Sequence, residues 1–272
     1  MKVFGLISDG RAFRSKSPAM HSRILRQQGL EGVYLPFAVE PHLIGQAIRG
    51  LRALNLAGAN VTVPYKEKVI PHLDALSEEA AAIGAVNTIV PRDGLLEGHN
   101  TDARGFSEAL QAAGFQAGGK KVLVLGTGGA AKAVLLALGR MGPAQVALAG
   151  RNQALTAETA RRLGAEPGSL DSLAKGPCQA DLVINATSVS SEAESPQLAA
   201  LVKKIRLPGC RLVFDLNYGR PDNLWQALAQ KNGASFSDGL ALLAHQARLS
   251  FFLWTGIEVK VGDFLAALGL DS

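Results

Sequence analysis

The stretch AGANVTVPYKEKV, residues 57–69, sets Lys66 two positions beyond Pro64, which stops an apolar run ending Asn60-Val61-Thr62-Val63. A lysine just past the carboxyl end of a buried strand is either a solvated turn residue or a proton donor at the floor of a ligand site. Open α/β sheets bind ligands at such strand ends, and other polar groups gather at similar places. Thr62 precedes the lysine, Asn87 lies in GAVNT, and Asp102 in GHNTDARG. Ser15 and Ser17 stand ahead of a helix opened by Pro18. Two hydroxyls there suit a carboxylate, and they are equally good helix caps. Any one of these residues reads as a cap or a turn. Their recurrence at strand ends points to a ligand site.

A second constellation is VLVLGTGGAAKAV, where Gly126, Gly128 and Ala131 form a G-x-G-x-x-A turn between an apolar strand and a helix. Gly126 permits the tight turn, Gly128 lets backbone approach a pyrophosphate, and Ala131 lets the helix pack on the strand. The helix N-terminus then offers free N–H groups to phosphate. A dinucleotide site selective for NAD carries an acid about 20 residues on, to bond the ribose 2′-hydroxyl. Here the next strand ends ALAGRN, with Arg151 in place of an acid. A guanidinium suits a 2′-phosphate, so the spacing favours NADP.

The elements that must position these groups alternate between short apolar runs and helical stretches, the form of an α/β fold with parallel strands. The first part offers strands in VFGLI, VYLPFAV and AGANVTV, with helices near 18–28 and 41–54. AVNTIV and GLLEGHN read as two strands joined by a turn at Pro91-Arg92-Asp93-Gly94, and a helix begins near Thr101. From Gly118 onward the rhythm is that of a doubly wound sheet, with strands in KKVLVLG, QVALAG, ADLVINAT and CRLVFDL. Its helices are expected near 129–141, 154–163 and 197–205, and two more, near 239–254 and 262–268, follow the last strand. Two domains are therefore expected, an N-terminal α/β domain over 1–101 and a Rossmann-type doubly wound domain over 102–239. On the residues alone the final segment, 240–272, either packs on the second sheet or crosses back to finish the first domain, which would then be the substrate domain.

Composition narrows the partners. The 272 residues are 47% hydrophobic and 19% charged, with 28 basic against 23 acidic side chains. No Lys/Arg run is interleaved with aromatics, so nucleic acid ranks well below a small anionic ligand. The apolar run Val3–Ile7 is too short for a secretory signal, and no stretch approaches the ~18 apolar residues of a membrane span. Cys178 and Cys210, far apart in sequence, fit no metal pattern and read as free thiols in a reducing cytoplasm.

The motifs SKSPAMH, NVTVPYK, GAVNTI, GHNTDARG, GTGGAAKA, NATS and HQARLSFFLWTG stand in the order and spacing of shikimate dehydrogenases, and the chain resembles that family from about residue 5 to 268. The resemblance implies NADP-dependent, reversible reduction of 3-dehydroshikimate to shikimate on the route to chorismate and the aromatic amino acids. It implies Lys66 and Asp102 as the catalytic pair, and Ser15 and Ser17 on the substrate carboxylate. Thr62, Asn87 and Gln246 would take the ring hydroxyls, Asp102 would share in substrate binding, and Tyr218 would lie near the carboxylate. Gly126, Thr127, Gly128, Gly129 and Ala130 would hold the pyrophosphate, and Gly150, Arg151 and Asn152 the 2′-phosphate end. Thr187, Leu216 and Gly239 would lie along the nicotinamide half, with Glu78 a further cofactor contact. The final helices would return to the first domain and bring Gln246 to the substrate. The chain departs from the family pattern at Arg14, where histidine is usual, and at Leu155, where a second arginine is common. Pro221 stands three residues after Tyr218 rather than two. A shikimate/quinate dehydrogenase using NAD(P) and a non-catalytic NADP-binding regulator are the alternatives. Expected partners are a small-molecule substrate, with no metal and no nucleic acid, and the chain is expected to be a monomer or homodimer.

Overall fold

The computed structural model describes residues 1–270, and these form two compact units. One comprises Met1–Gly105 with the segment from Leu243 onward, and the other Phe106–Leu242. The division falls inside a helix, after Gly105, rather than before Asp102 as the sequence boundary had it. Asp102 and the first turn of that helix therefore belong with the first unit.

The first unit is built on β1 (Lys2–Ser8), β2 (Gly32–Ala38), β3 (Gly58–Val61), β4 (Ala75–Leu76), β5 (Thr88–Arg92) and β6 (Leu95–His99), in the order β2-β1-β3-β5-β6-β4. β1 pairs parallel with β2 and β3, while β5 runs antiparallel to β3 and β6. The β5–β6 turn is tighter than the sequence reading placed it. Pro91 and Arg92 remain in register with Leu96 and Leu95. Only Asp93 and Gly94 turn, with φ +50° and +78°. Positive φ at both central residues matches the twist of a two-residue hairpin, and Asp-Gly tolerates it.

β3 also ends earlier than expected. It is wholly buried over Gly58–Val61, whereas Val63 is 40% exposed. Thr62 and Val63 already belong to the loop that leads to Lys66. Around the sheet lie α1 (Ser17–Gln27), α2 (Ile44–Ala53), α3 (Glu78–Ile83) and the start of α4 (Asp102–Ala112).

The second unit contains β7 (Lys121–Leu125), α5 (Gly129–Met141), β8 (Gln145–Gly150), α6 (Gln153–Leu163), β9 (Glu166–Ser169) and α7 (Leu170–Leu173). The chain continues through β10 (Leu182–Asn185), α8 (Pro196–Val202), β11 (Leu212–Asp215), α9 (Leu224–Lys231) and β12 (Ser235–Ser237). Its sheet order, β12-β11-β10-β7-β8-β9, is all parallel. This is the doubly wound arrangement, with the strand order reversing beside β7. β7, β10 and β11 are near-continuous apolar runs because helices cover both faces of such a sheet. α10 (Leu240–Thr255) and α11 (Val261–Ala267) are the last elements among the described residues. Both cysteines are free, and burial pushes the Cys210 thiol up to about 11.

Candidate active site and dinucleotide site

In the first unit, Lys66 emerges from a loop pinned at several points. Thr62 N–H bonds the Ile7 carbonyl at 3.0 Å, Tyr65 N–H closes a turn on the Thr62 carbonyl, and the Ser8 hydroxyl donates to the Val63 carbonyl at 2.6 Å. The Lys66 carbonyl accepts from Val86 N–H at 2.8 Å, which ties the lysine to the segment that carries Asn87. Asp102 is the first residue of α4, and its N–H is capped by the Asn100 side chain at 3.0 Å. Lys66 Nζ then donates to Asp102 Oδ2 at 2.7 Å, with the two side chains only 13% and 12% exposed.

The other carboxylate oxygen is also occupied. Asn87 Nδ2 donates to Asp102 Oδ1 at 2.8 Å, to Thr101 Oγ1 at 2.9 Å and to Gln246 Oε1 at 3.3 Å. Asn87 Oδ1 accepts from Thr101 N–H at 2.8 Å and from the Thr88 hydroxyl at 2.9 Å. A satisfied buried amide of this kind has one orientation, and it fixes the carboxylate in turn. Gln246 reaches the group because Gly105 has no side chain. A Cβ there would lie 2.8 Å from Gln246 Cβ.

Ser250, one helical turn beyond Gln246, joins the same network through Thr88 and Thr101. Asn60 Nδ2 donates to Ser250 Oγ, and Asn60 Oδ1 accepts from the Tyr34 hydroxyl. The sequence reading missed Asn60, Thr88, Thr101 and Ser250. The i, i+4 spacing of Gln246 and Ser250 on one helix was the available signal.

The remaining first-unit residues are placed as follows. Ser17 is buried and opens α1, and its N–H donates to Ser15 Oγ at 3.1 Å. The N-cap itself is Lys16, with no capping side chain. Ser15 Oγ thus takes up the first N–H of α1, while the Ser17 hydroxyl makes no such bond to the helix start among the described residues. Glu78 is the exposed first residue of α3, in this unit rather than the one with the glycine turn.

The second unit carries the dinucleotide fingerprint in the expected geometry. Gly126 has φ +113°, and a Cβ would meet the Ala186 carbonyl at 2.7 Å, so only glycine makes this turn. Gly128 is the N-cap of α5 with no side-chain bond to the first turn, and nothing lies within 4 Å of the place its Cβ would take. That leaves open backbone and unpaired N–H groups at the start of a 13-residue helix, a fit for a pyrophosphate. Thr127 packs against Gly150, with Gly129 and Ala130 opening the helix. Arg151 is exposed at the end of β8 and has no ion-pair partner among the described residues. The Asn152 side chain caps α6 by accepting from Leu155 N–H.

Thr187 donates its hydroxyl to Asn185 Oδ1 at 2.7 Å, and Leu216 N–H bonds the Asn185 carbonyl. Gly239 N–H bonds the Asn217 carbonyl at 2.9 Å. A Cβ on Gly239 would overlap the Leu216 carbonyl oxygen, so these two segments touch only because residue 239 has no side chain. Tyr218 is half-buried in the loop after β11, and its carbonyl accepts from Arg220.

Comparison with known proteins gives the family. Residues 11–89 match a family described as the shikimate dehydrogenase substrate binding domain, and residues 107–237 one described as shikimate / quinate 5-dehydrogenase. The chain is 40% identical over 264 residues to the shikimate dehydrogenase (NADP(+)) of Caldanaerobacter subterraneus subsp. tengcongensis, covering 94% of this chain and 92% of that one. The shikimate 5-dehydrogenase of Thermus thermophilus, solved in complex with NADP(H) and shikimate, superimposes with a TM-score of 0.85 at 36% identity. That match covers 98% of both chains. The enzyme of Listeria monocytogenes, solved with shikimate and NAD, superimposes at 0.82 with 30% identity over 98% of this chain and 96% of that one. Lys66, Asp102 and the glycine turn thus stand in a protein that belongs to the shikimate dehydrogenase family.

Proposed function

We propose that the chain catalyses the NADP-dependent, reversible reduction of 3-dehydroshikimate to shikimate in aromatic amino-acid biosynthesis. The observation that carries the reading is the 2.7 Å Lys66–Asp102 pair, whose carboxylate is held from its other side by Asn87. When bound, the reduced nicotinamide supplies a hydride to the substrate ketone. The oxygen left behind gains negative charge and must take a proton. The Lys66 ammonium stabilises that charge as it develops and donates the proton. Asp102 orients the ammonium and shares the returning proton. Ser15 and Ser17 hold the substrate carboxylate with Tyr218 near it, while Thr62, Asn87 and Gln246 take the ring hydroxyls.

On the cofactor side, residues 126–130 receive the pyrophosphate, Gly150, Arg151 and Asn152 the 2′-phosphate end, and Thr187, Leu216 and Gly239 the nicotinamide half. The exposed Arg151 and the lack of an acid at the end of β8 support NADP over NAD. Glu78, which opens a helix of the first unit, is read as a further cofactor contact. Two free cysteines fit a cytoplasmic enzyme, as a monomer or homodimer.

Steady-state kinetics with shikimate and quinate, each against NADP and NAD, tests this reading. The expected result is a kcat/KM for shikimate with NADP that exceeds the other three combinations. Equal efficiency with quinate would move the chain to the shikimate/quinate reading, which the second matched family description and the NAD complex of the Listeria relative keep open.

A further inference from the structure

The second unit contains a carboxylate that the reaction above does not use. Asp215 ends β11, is fully buried, and lies in register with Asn185 at the end of β10. Its Oδ1 accepts from Asn185 Nδ2 at 2.7 Å and from the Asn217 backbone N–H and side-chain amide, each at 3.0 Å. Its Oδ2 accepts from Asn223 Nδ2 at 2.7 Å. All four donors are neutral amides, and no cation pairs with Asp215 among the described residues. A buried carboxylate is ordinarily opposed by a cation, because taking an isolated charge out of water is costly. Four amide donors converge on it, and a carboxylate is the side chain that accepts from all of them, so the network selects an acidic group at this strand end.

The partners of Asp215 also bond the segments that carry Thr187, Leu216 and Gly239. Asn185 Oδ1 accepts from Thr187 N–H and hydroxyl. Asn217 Nδ2 also donates to the Thr187 carbonyl at 2.9 Å, and the Asn217 carbonyl accepts from Gly239 N–H. Leu216 follows Asp215 directly. Asn223 spends its Oδ1 on capping α9, through Trp225 and Gln226 N–H, which leaves its amide aimed at the carboxylate. Thr187, Leu216 and Gly239 are therefore each one or two bonds from a single buried negative charge.

We propose that Asp215 is the positioning residue of the nicotinamide end and that its charge makes this end favour the oxidised cofactor, whose nicotinamide ring is cationic, over the reduced one, whose ring is neutral. The inference rests on the reading that NADP lies with its nicotinamide along Thr187, Leu216 and Gly239. Oxidised nicotinamide differs from reduced by one positive charge on the ring. A fixed charge in a low-dielectric interior acts on that difference, whereas a loop held by neutral hydrogen bonds treats both forms alike.

The test compares two double variants that keep the hydrogen bonds and differ in charge. Asp215→Asn with Asn223→Ser is neutral. Serine still caps α9, and its oxygen accepts from the new amide. Asp215→Asn with Asn223→Asp keeps one carboxylate in the network. Calorimetric titration with NADP+ and with NADPH gives the ratio of the two affinities for each variant, and thermal melts confirm folding. The expected result is that the neutral network loses about tenfold of the preference for NADP+, while the charged network stays close to the unaltered protein. An unchanged ratio in the neutral variant, or the same shift in both variants, would overturn the proposal. Failure of the unaltered protein to bind either form is a separate outcome, and it would overturn the cofactor reading itself.

Discussion

Each unit of the molecule carries a carboxylate at the start or end of an element, fixed by asparagine side chains, and the two are built for different work. Asp102 faces an ammonium at 2.7 Å and keeps about an eighth of its surface open. Asp215 faces only amides and has no exposed surface. A group that must pass a proton needs a partner that can hold one and a route for it to leave. A group that must supply a constant field needs neither, and it works best sealed from water. On the roles proposed for them, burial and hydrogen bonding alone do not separate the two carboxylates, and the nature of the opposing group does.

That comparison is broken most severely at the first carboxylate. Asp102→Asn leaves Lys66 without its counter-charge, and turnover with shikimate is expected to fall about 10²-fold or more, the range of a lost acid–base partner. Retention of most of the activity would mean that Asn87 and Gln246 suffice to orient the lysine. The second region is broken by Gly239→Ala. The added methyl overlaps the Leu216 carbonyl and must push the two segments apart. Strain of about 1–3 kcal/mol at an overpacked position corresponds to roughly 5–150-fold weaker NADPH binding, with shikimate binding little changed. Equal weakening of both ligands, measured by direct titration, would show that the two sets of residues are not separable in this way.

A smaller effect separates the two buried networks from a buried group that has no network at all. His21 is 1% exposed and stacks on Tyr34 at 4.5 Å between ring centroids, beside Trp254 and Phe264. Neither ring nitrogen has a partner among the described residues. Burial pushes His21 down to about 3, from an ordinary 6.5. The folded protein thus holds a neutral imidazole where the unfolded chain takes up a proton. Its contribution is fully present above about pH 6.5 and is lost as pH falls toward 3, at about 1.4 kcal/mol per pH unit. His21→Phe is expected to flatten that acid loss in urea melts between pH 6 and 4. An unchanged slope would place the acid sensitivity elsewhere.

Much of this arrangement was legible in the sequence because it is local. The glycine turn, the apolar strands β7, β10 and β11, and the loop that ends in Lys66 each announce themselves within a dozen residues. The short edge elements did not. β9 reads Glu-Pro-Gly-Ser, which propensity argues against, and an edge strand tolerates it because only one side must pair. Asp215 looked like the polar end of an apolar run. Its partners Asn185, Asn217 and Asn223 converge on it through the register of β10 and β11 and the cap of α9, which no linear spacing reveals. Asn60 and Ser250 likewise lie 190 positions apart and meet at 3.1 Å. Networks assembled by topology are visible only once the sheet is.

The most direct test of the account is Lys66→Ala, with shikimate binding measured by titration and turnover measured with NADP on the same preparation. The account predicts a dissociation constant close to that of the unaltered protein and a turnover lower by about 10²–10⁴-fold, because the lysine acts on the charge that appears during the reaction. Near-normal turnover, or a loss confined to shikimate binding, would contradict it.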